Sequence, residues 1–368
     1  MMNLSRLAAA TLLLIVLAAP DPGVWAAPRR KTSPRDLPAR SVQLVAVQAR
    51  WSLANYRDEA AFGAWIEGLM QQVDRRRNGG IPCLVVFPEF IGLPLIFSTA
   101  VDQVRGSTRW KEAAAVVITQ RQDEVGGYCR KYGVRPVRGL MLARAAEVRG
   151  IYSKTFSRAA AQHRCYVVAG SAALPELING APRDGNVYNT SLFFGPDGAL
   201  IGEQKKVHPY GAEGTAEGLD ITPGSLAGVR AFDTKIGKVG IAVCYDAWAD
   251  EVMDALDRQG AVVLAQPSAN AHAWDDWQQG DWKKGLWRQV QRGGSFQYGV
   301  NPMMVGSLFA PDDEYACDGQ SAILAKTAGT RDGSGYLARA GLGPKGQPRT
   351  EQVVVATVRL GTAPATQR

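Results

Sequence analysis

The sequence predicts an α/β fold in which parallel and antiparallel strands share one folded body. Two observations carry this reading. Short apolar runs of strand length recur along the chain and alternate with stretches of helical periodicity. Beyond residue 40 there is neither an internal repeat nor a composition break. A chain of 368 residues could hold two domains, but nothing marks a boundary between them.

The N-terminus stands apart from that body. Arg6 precedes an apolar run from Leu7 to Ala19, and small residues follow at Val24 and Ala26. This is the layout of a secretory signal peptide over residues 1–27, cut after Ala26 or Ala27. An uncleaved anchor is the other reading, although the run is short for a membrane span. Both place the remainder outside the cytoplasm, in a periplasm or beyond the cell. Residues 28–40 are basic and Pro-rich and read as a linker. The folded body is expected over 41–362, with a short tail at 363–368. No later apolar stretch is long enough to cross a bilayer.

Within the body the elements follow in order. Val42–Gln48 reads as a strand and Tyr56–Arg77 as a helix. Cys83–Phe87 is a continuous apolar run between Pro82 and Pro88, which suits a strand buried on both faces. The segment 92–150 is long and mostly helical in pattern, and two readings stand: a lid over a pocket, or an elaborated helix pair. Ile151–His163 reads as a helix leading into a strand at Tyr166–Gly170. Asn189–Phe194 and Ala199–Lys205 are strands joined by the Pro196-Asp197-Gly198 turn. Lys238–Val243 is a strand that ends at Cys244. Asp250–Arg258 is a helix, and Ala261–Ala265 is a strand ending at Gln266-Pro267-Ser268. Met303–Phe309 and Val353–Leu360 complete the strands.

Composition excludes several function classes. Hydrophobic residues make up 46% and charged residues 21%, as in an ordinary globular protein. The net charge of +8 is spread along the chain apart from short clusters at Arg29–Lys31 and Arg75–Arg77, so no nucleic-acid partner is expected. The five cysteines, Cys83, Cys129, Cys165, Cys244 and Cys317, match no zinc spacing. An odd count leaves at least one thiol unpaired, and disulfides among Cys83, Cys129, Cys165 and Cys317 stay open. With three histidines and no HExxH pattern, no metal or cofactor is expected.

Three places put reactive groups at strand ends or turns. Glu89 directly follows the buried run that ends at Phe87-Pro88; a carboxylate partly removed from water there suits a general base, while a capping or ion-paired Glu is the ordinary alternative. Cys244 ends a buried strand and is closely followed by a helix, where backbone N–H groups lower a thiol pKa and can hold an oxyanion; a structural Cys is the alternative. Lys206, beside Lys205, could stabilise a tetrahedral oxyanion or be a solvated surface cation.

Together, in the order Glu, Lys, Cys, these residues resemble the nitrilase superfamily, the carbon–nitrogen hydrolases. The resemblance runs from about Val42 to Leu360. It covers Val45-Ala46-Val47-Gln48, Phe87-Pro88-Glu89, Val187-Tyr188-Asn189-Thr190, Phe194-Gly195-Pro196-Asp197-Gly198, Lys206-Val207-His208, Thr222-Pro223-Gly224, Val243-Cys244-Tyr245-Asp246 and Gln266-Pro267-Ser268-Ala269. It implies a four-layer α-β-β-α sandwich, often paired into a homodimer. It also implies a Cys244 nucleophile, Glu89 as base, and Lys206 with the Tyr245 N–H as oxyanion donors. Asp246 is expected to support the site. A second glutamate beside the substrate is implied, and counting back from Thr222-Pro223-Gly224 favours Glu217 over Glu213. Cys-Tyr-Asp resembles the amidase and carbamoylase branches, whereas nitrilases more often show Cys-Trp-Glu. The expected substrate is therefore a small amide or N-carbamoyl compound.

Departures from the family pattern keep alternatives open. Ala247-Trp248-Ala249-Asp250-Glu251 follows the Cys-Tyr-Asp stretch, and Arg292-Gly293-Gly294-Ser295-Phe296-Gln297 replaces the usual Arg-Ala-x-Glu-Asn. Tryptophans 274, 277, 282 and 287 could line a cleft or pack a helix against the body. An acyltransferase that hands the acyl group to an amine, and an inactive binding protein that kept the fold, are the other readings. His208 is weighed as a base in a Cys-His pair and set behind a packing role.

Overall fold

The strand Ser41–Gln48 shows how the fold is laid out. All of its residues are buried, although side chains along a strand point alternately to opposite faces. Val42, Leu44 and Ala46 join an apolar cluster with Val239, Ile241, Val263 and Ile323. Val45 and Val47 join a different one with Phe62, Ile66 and Phe156. Each face of the sheet is thus covered, one by a second sheet and one by helices, so the stretch Leu44–Val47 reads as continuously apolar. The computed structural model describes residues 41–310, 313, 315–342 and 350–360. The expected leader at 1–27, linker at 28–40 and tail at 363–368 lie outside the described residues.

The first sheet has seven strands. Its order is Gln352–Arg359, Ser41–Gln48, Cys83–Val86, Tyr166–Val168, Tyr188–Phe194 and Ala172–Leu174, with Leu200–Lys205 also paired to Tyr188–Phe194. The steps from Ser41–Gln48 to Cys83–Val86 and on to Tyr166–Val168 are parallel. The second sheet has six strands, ordered Tyr336–Arg339, Ala322–Ala325, Tyr298–Asn301, Val263–Ala265, Val239–Ile241 and Ala231–Phe232. On its outer face Ala242, Leu264 and Leu324 meet Val252, Met253 and Leu256 of the helix Asp250–Arg258. The layers therefore run helix, sheet, sheet, helix, the four-layer sandwich expected.

The helix Glu59–Arg76 illustrates why the outer layers form. Asp58 Oδ1 accepts from the Ala61 N–H at 2.8 Å, capping the first turn, and Arg75 and Arg76 sit at the C-terminal end, where the dipole favours cations. Phe62, Ile66, Leu69, Met70 and Val73 recur at helical spacing and are buried against the sheet.

The late strands differ from expectation. Of Met303–Phe309 only Met303–Met304 forms a strand, alongside Ser268–Ala269; Val305 and Gly306 make single bridges to Arg50 and Cys317, and Gly306 has φ 82°. The longer pairing lies just before it, at Tyr298–Asn301. There Gly299 lies so close beneath Leu286 and Val290 that a Cβ would come within 2.9 Å of Leu286, so a residue that weakens the strand signal is the one that fits. The segment 92–150 is mostly helical, as its pattern suggests. It contains Trp110–Gln120, Gln122–Tyr132 and Pro136–Ala143 and runs into the helix Ala145–His163. Leu93–Phe97 is wholly buried, and Phe97 and Trp110 make an edge contact at 4.7 Å. The five cysteines are all free thiols. No helix among the described residues is long and apolar enough to cross a membrane.

Candidate active site

Glu89 leaves the first sheet through a constrained turn. The next residue, Phe90, adopts φ 59°, and its N–H donates to Ser171 Oγ at 2.9 Å. Gly170 faces this turn at φ 74°, and a Cβ there would stand 2.1 Å from the Pro88 carbonyl oxygen, so only glycine fits. Glu89 is thereby held inward and buried. Lys206 follows the strand Leu200–Lys205, and its N–H donates to the Asn189 carbonyl at 2.8 Å, continuing the ladder by one more bond.

The charged groups meet below the surface. Lys206 Nζ donates to Glu89 Oε1 at 2.8 Å and to Glu213 Oε2 at 2.5 Å. Asn189 Nδ2 donates to the same two carboxylates, to Glu89 Oε1 at 2.8 Å and to Glu213 Oε1 at 2.7 Å. Glu89 Oε2 accepts from the Ala269 N–H, in the short strand Ser268–Ala269, at 3.1 Å.

Cys244 arrives from the second sheet at the end of Val239–Ile241 and opens the turn Cys244–Trp248. It adopts φ 48°, a left-handed conformation that a side chain rarely takes without support. The support is local: its N–H donates to the Pro267 carbonyl at 2.9 Å, and its carbonyl accepts from Gln266 Nε2 at 3.0 Å. Sγ lies 3.7 Å from the carbonyl of Ala269, the residue whose N–H donates to Glu89, and the Glu89 charge acts on the thiol. Asp246, two residues on and fully buried, accepts from the Val207 N–H at 3.0 Å and the His208 N–H at 2.8 Å. It thus joins the Cys244 turn to the end of the Lys206 strand.

Burial and charge set the protonation states. Burial pushes the Cys244 thiol well above its ordinary value, and the Glu89 carboxylate adds to this more than Lys206 takes away. Glu89 is raised by burial and by Glu213, against the pull of Lys206. Burial works against the Lys206 ammonium, but Glu213 and Glu89 outweigh it, so it is held charged. One cation facing two carboxylates favours a neutral resting thiol beside a base ready to receive its proton.

Glu217 is corrected by the structure. It lies on the surface with its side chain 73% exposed, 3.4 Å from Arg135, and it does not reach the cluster. Glu213 occupies the place instead. Counting along the chain failed because the loop doubles back: the Leu219 N–H donates to the Ala212 carbonyl and the Ile221 N–H to the Glu213 carbonyl, both at 3.0 Å. The segment 92–150 pins that loop, since Arg138 donates to the Asp220 carbonyl and carboxylate, each at 2.7 Å. His208 Nε2 stands 2.9 Å from Glu251 rather than pairing with Cys244. Tyr245 is half-exposed and stacks on Trp248. The tryptophans divide: Trp274 and Trp282 pack edge to face at 5.7 Å, while Trp277 is exposed. The altered stretch Arg292–Gln297 is anchored through Ser295, whose N–H and Oγ both donate to Asp257 Oδ1, at 2.6 and 2.7 Å.

Comparison with known proteins identifies the family. The family model for carbon-nitrogen hydrolases matches residues 44–328. The citrullinase of Francisella tularensis subsp. tularensis is 38% identical over 88 residues, 24% of this chain and 30% of that protein. The omega-amidase NIT3 of Saccharomyces cerevisiae is 33% identical over 108 residues, 28% of this chain and 35% of that protein. The chain thus aligns with about a third of the length of these curated relatives. The crystal structure of Saccharomyces cerevisiae Nit3, a member of branch 10 of the nitrilase superfamily, superposes with a TM-score of 0.51 at 20% identity, covering 87% of this chain and 90% of that one. At that identity the likeness speaks to the fold.

Proposed function

The chain belongs to the carbon–nitrogen hydrolase family, and from that premise we propose that it hydrolyses a non-peptide amide or N-carbamoyl bond through a covalent Cys244 intermediate. The observation that carries this reading is the convergence of Glu89, Lys206 and Glu213 in one buried cluster within reach of the strained Cys244. Cys244 Sγ attacks the carbonyl carbon while Glu89 takes the thiol proton. The negative charge on the tetrahedral oxygen is met by Lys206 Nζ and the Tyr245 N–H. The C–N bond then breaks, and Glu89 returns the proton to the leaving nitrogen. Water enters, gives a proton to Glu89, attacks the thioester and releases the acid, and the proton passes back to the thiol. Glu213 and Asn189 hold Lys206 and Glu89 in place throughout. The names of the relatives, a citrullinase and an omega-amidase, support a ureido or amide substrate over a nitrile.

The test is ammonia release from a panel of amides, N-carbamoyl compounds and nitriles, with Cys244→Ala in parallel. Release by the wild type alone, from an amide or N-carbamoyl compound, is expected. A Cys244→Ala protein that still releases ammonia, or an unmodified chain that acts on nitriles alone, overturns the reading. We also place the protein outside the cytoplasm, on the strength of the Arg6 and Leu7–Ala19 pattern; recovery of uncleaved chain from the cytoplasmic fraction would refute this. A homodimer is the assembly the family resemblance suggests, and a monomeric mass by light scattering would exclude it.

A further inference from the structure

Two cysteines come together in the first sheet, at the end of the strand that points away from Glu89. Cys83 opens the strand Cys83–Val86, and Cys165 directly precedes Tyr166–Val168. The two strands are parallel, with Leu84 opposite Tyr166, Val85 opposite Val167 and Val86 opposite Val168. One step back along that register, Cys83 comes opposite Cys165. Side chains alternate between the faces of a strand, and both cysteines fall on the helix-covered face, in one apolar cluster with Val73, Val85, Ala160 and Val167. Neighbouring strands lie about 4.8 Å apart, and Cα atoms joined through a disulfide usually stand about 4.4–6.8 Å apart. No other cysteine among the described residues stands in register with a second one: Cys129 lies in the helix Gln122–Tyr132, Cys244 opens a turn, and Cys317 bridges Gly306.

The two thiols are not equivalent. Cys165 Sγ donates to the His163 carbonyl at 3.3 Å, and Arg77 Nη2 donates to the same oxygen at 2.7 Å, which sets a guanidinium beside the sulfur. Arg77 is fixed there by Asp74, whose Oδ1 accepts from Nε at 2.7 Å. Cys83 and Arg77 draw the Cys165 thiol below its ordinary value against the effect of burial. Cys165 and burial push the Cys83 thiol well above its own. In thiol–disulfide exchange the thiol with the greater thiolate character attacks first, and a neighbouring thiol then resolves the mixed disulfide. Both cysteines are buried in the finished fold, so the exchange belongs to folding, before the helices close over the sheet.

We propose that Cys83 and Cys165 form a disulfide when the chain folds in an oxidising compartment, with a small-molecule or protein disulfide as the oxidant. Written for glutathione disulfide, the Cys165 thiolate attacks one sulfur, a mixed disulfide forms and one glutathione leaves. Cys83 attacks the Cys165 sulfur, the second glutathione leaves, and the Cys83–Cys165 bond closes. Two electrons pass from the cysteines to the oxidant, and the two thiol protons end on the two released glutathiones. The bridge closes a loop that contains the whole segment 92–150. It ties the strand that leads to Glu89 to the strand that leads to Gly170, the residue facing the Glu89 turn. Such a link stabilises the fold by restricting the unfolded chain. Its presence in the cell rests on the export reading, whereas the pairing itself rests on the register and does not involve Cys244.

The test is production of the full chain in a host with an oxidising cytoplasm, purification without reductant, alkylation in denaturant and peptide mass mapping. Free thiols are expected to number three in place of five, with a Cys83–Cys165 cross-linked peptide that disappears on reduction. Cys83→Ser and Cys165→Ser should each show four free thiols, one more than the wild type although each has one cysteine fewer. Five alkylated cysteines in the wild type, or a bridge between any other pair, overturns the proposal. If neither variant folds, the wild-type map decides alone. Neither ammonia release nor the cellular fraction is read in this experiment, so its outcome is separate from those of the hydrolysis and export tests.

Discussion

The two sheets contribute to the site by different physical means. The first is backed by long unbroken helices, Glu59–Arg76 and Ala145–His163, and it delivers Glu89 and Lys206 as charges locked by side-chain hydrogen bonds. The second is backed by short pieces, Asp250–Arg258, Asp276–Trp282 and Arg288–Gln291, with a kink at Gly285 between the last two. It delivers Cys244, held by backbone bonds in a strained conformation. The buried charges therefore come from the half backed by long helices, and Cys244 from the half backed by short ones. An ionised cluster needs fixed partners because a displaced buried charge is costly, whereas a nucleophile must move to form and break a covalent bond.

Substitutions can break or sharpen this contrast. The largest effect is expected at the proposed nucleophile: Cys244→Ala should lower turnover by at least about 10⁴-fold, read as ammonia release, while leaving the thermal midpoint near that of the wild type. The reverse pattern is expected in the first sheet. Lys206→Ala leaves Glu89 and Glu213 facing each other buried and unneutralised, and should cost about 3–5 kcal/mol of stability by urea unfolding. A wild-type midpoint in that variant would show that the cluster is not ionised as described.

Asp246 joins the halves, and its titration measures that joint. Burial pushes its carboxyl up to about 6 from an ordinary 3.8, against the backbone N–H groups of Val207 and His208. The folded chain therefore holds this proton more tightly than the unfolded chain. The resulting stability is fully present below about pH 4 and lost as pH rises through about 6. Relative to Asp246→Asn, which does not titrate, the wild type should lose about 3 kcal/mol between those limits. A difference that stays flat with pH would mean that Asp246 titrates normally.

The two candidate glutamates give the smallest and sharpest contrast. Glu213→Gln removes one of the two carboxylates that hold Lys206 and should reduce kcat on the order of ten-fold. Glu217→Ala removes an exposed partner of Arg135 and should change neither kcat nor stability measurably. Equal losses from both substitutions would reinstate the position that chain counting favoured.

Most of the fold was legible because its strands are buried on both faces. Cys83–Val86 reads as a continuous apolar run and Leu44–Val47 as another within the first strand, and Asp250–Arg258 carries its helix at the expected bounds. Glu89, Lys206 and Cys244 were legible because each ends or follows such an element. Glu213 was not, since its place depends on a loop folding back on itself, which spacing along the chain does not encode. Asn189 was visible only as part of a motif. Its bonds to both carboxylates depend on strand pairing between residues distant in sequence. The strand at Tyr298–Asn301 was hidden by Gly299, whose missing side chain makes room for Leu286.

The pairing of the first strand with the last has a bearing on synthesis. Ser41 lies opposite Arg359 and Gln48 opposite Gln352, with antiparallel register held along the whole strand. Ser41–Gln48 is thus an interior strand whose outer neighbour is the last strand among the described residues, made about 300 residues later. While a ribosome is still translating, that edge carries unpaired backbone groups and has nothing in the chain to close it. Contacts between such distant segments form slowly, because a long loop must be drawn in before they reward it. Closure of the sheet is therefore a late event, possible only after residue 359 has emerged, and a truncation that removes Gln352–Arg359 should yield a chain that aggregates through the exposed edge rather than one that folds with a missing strand.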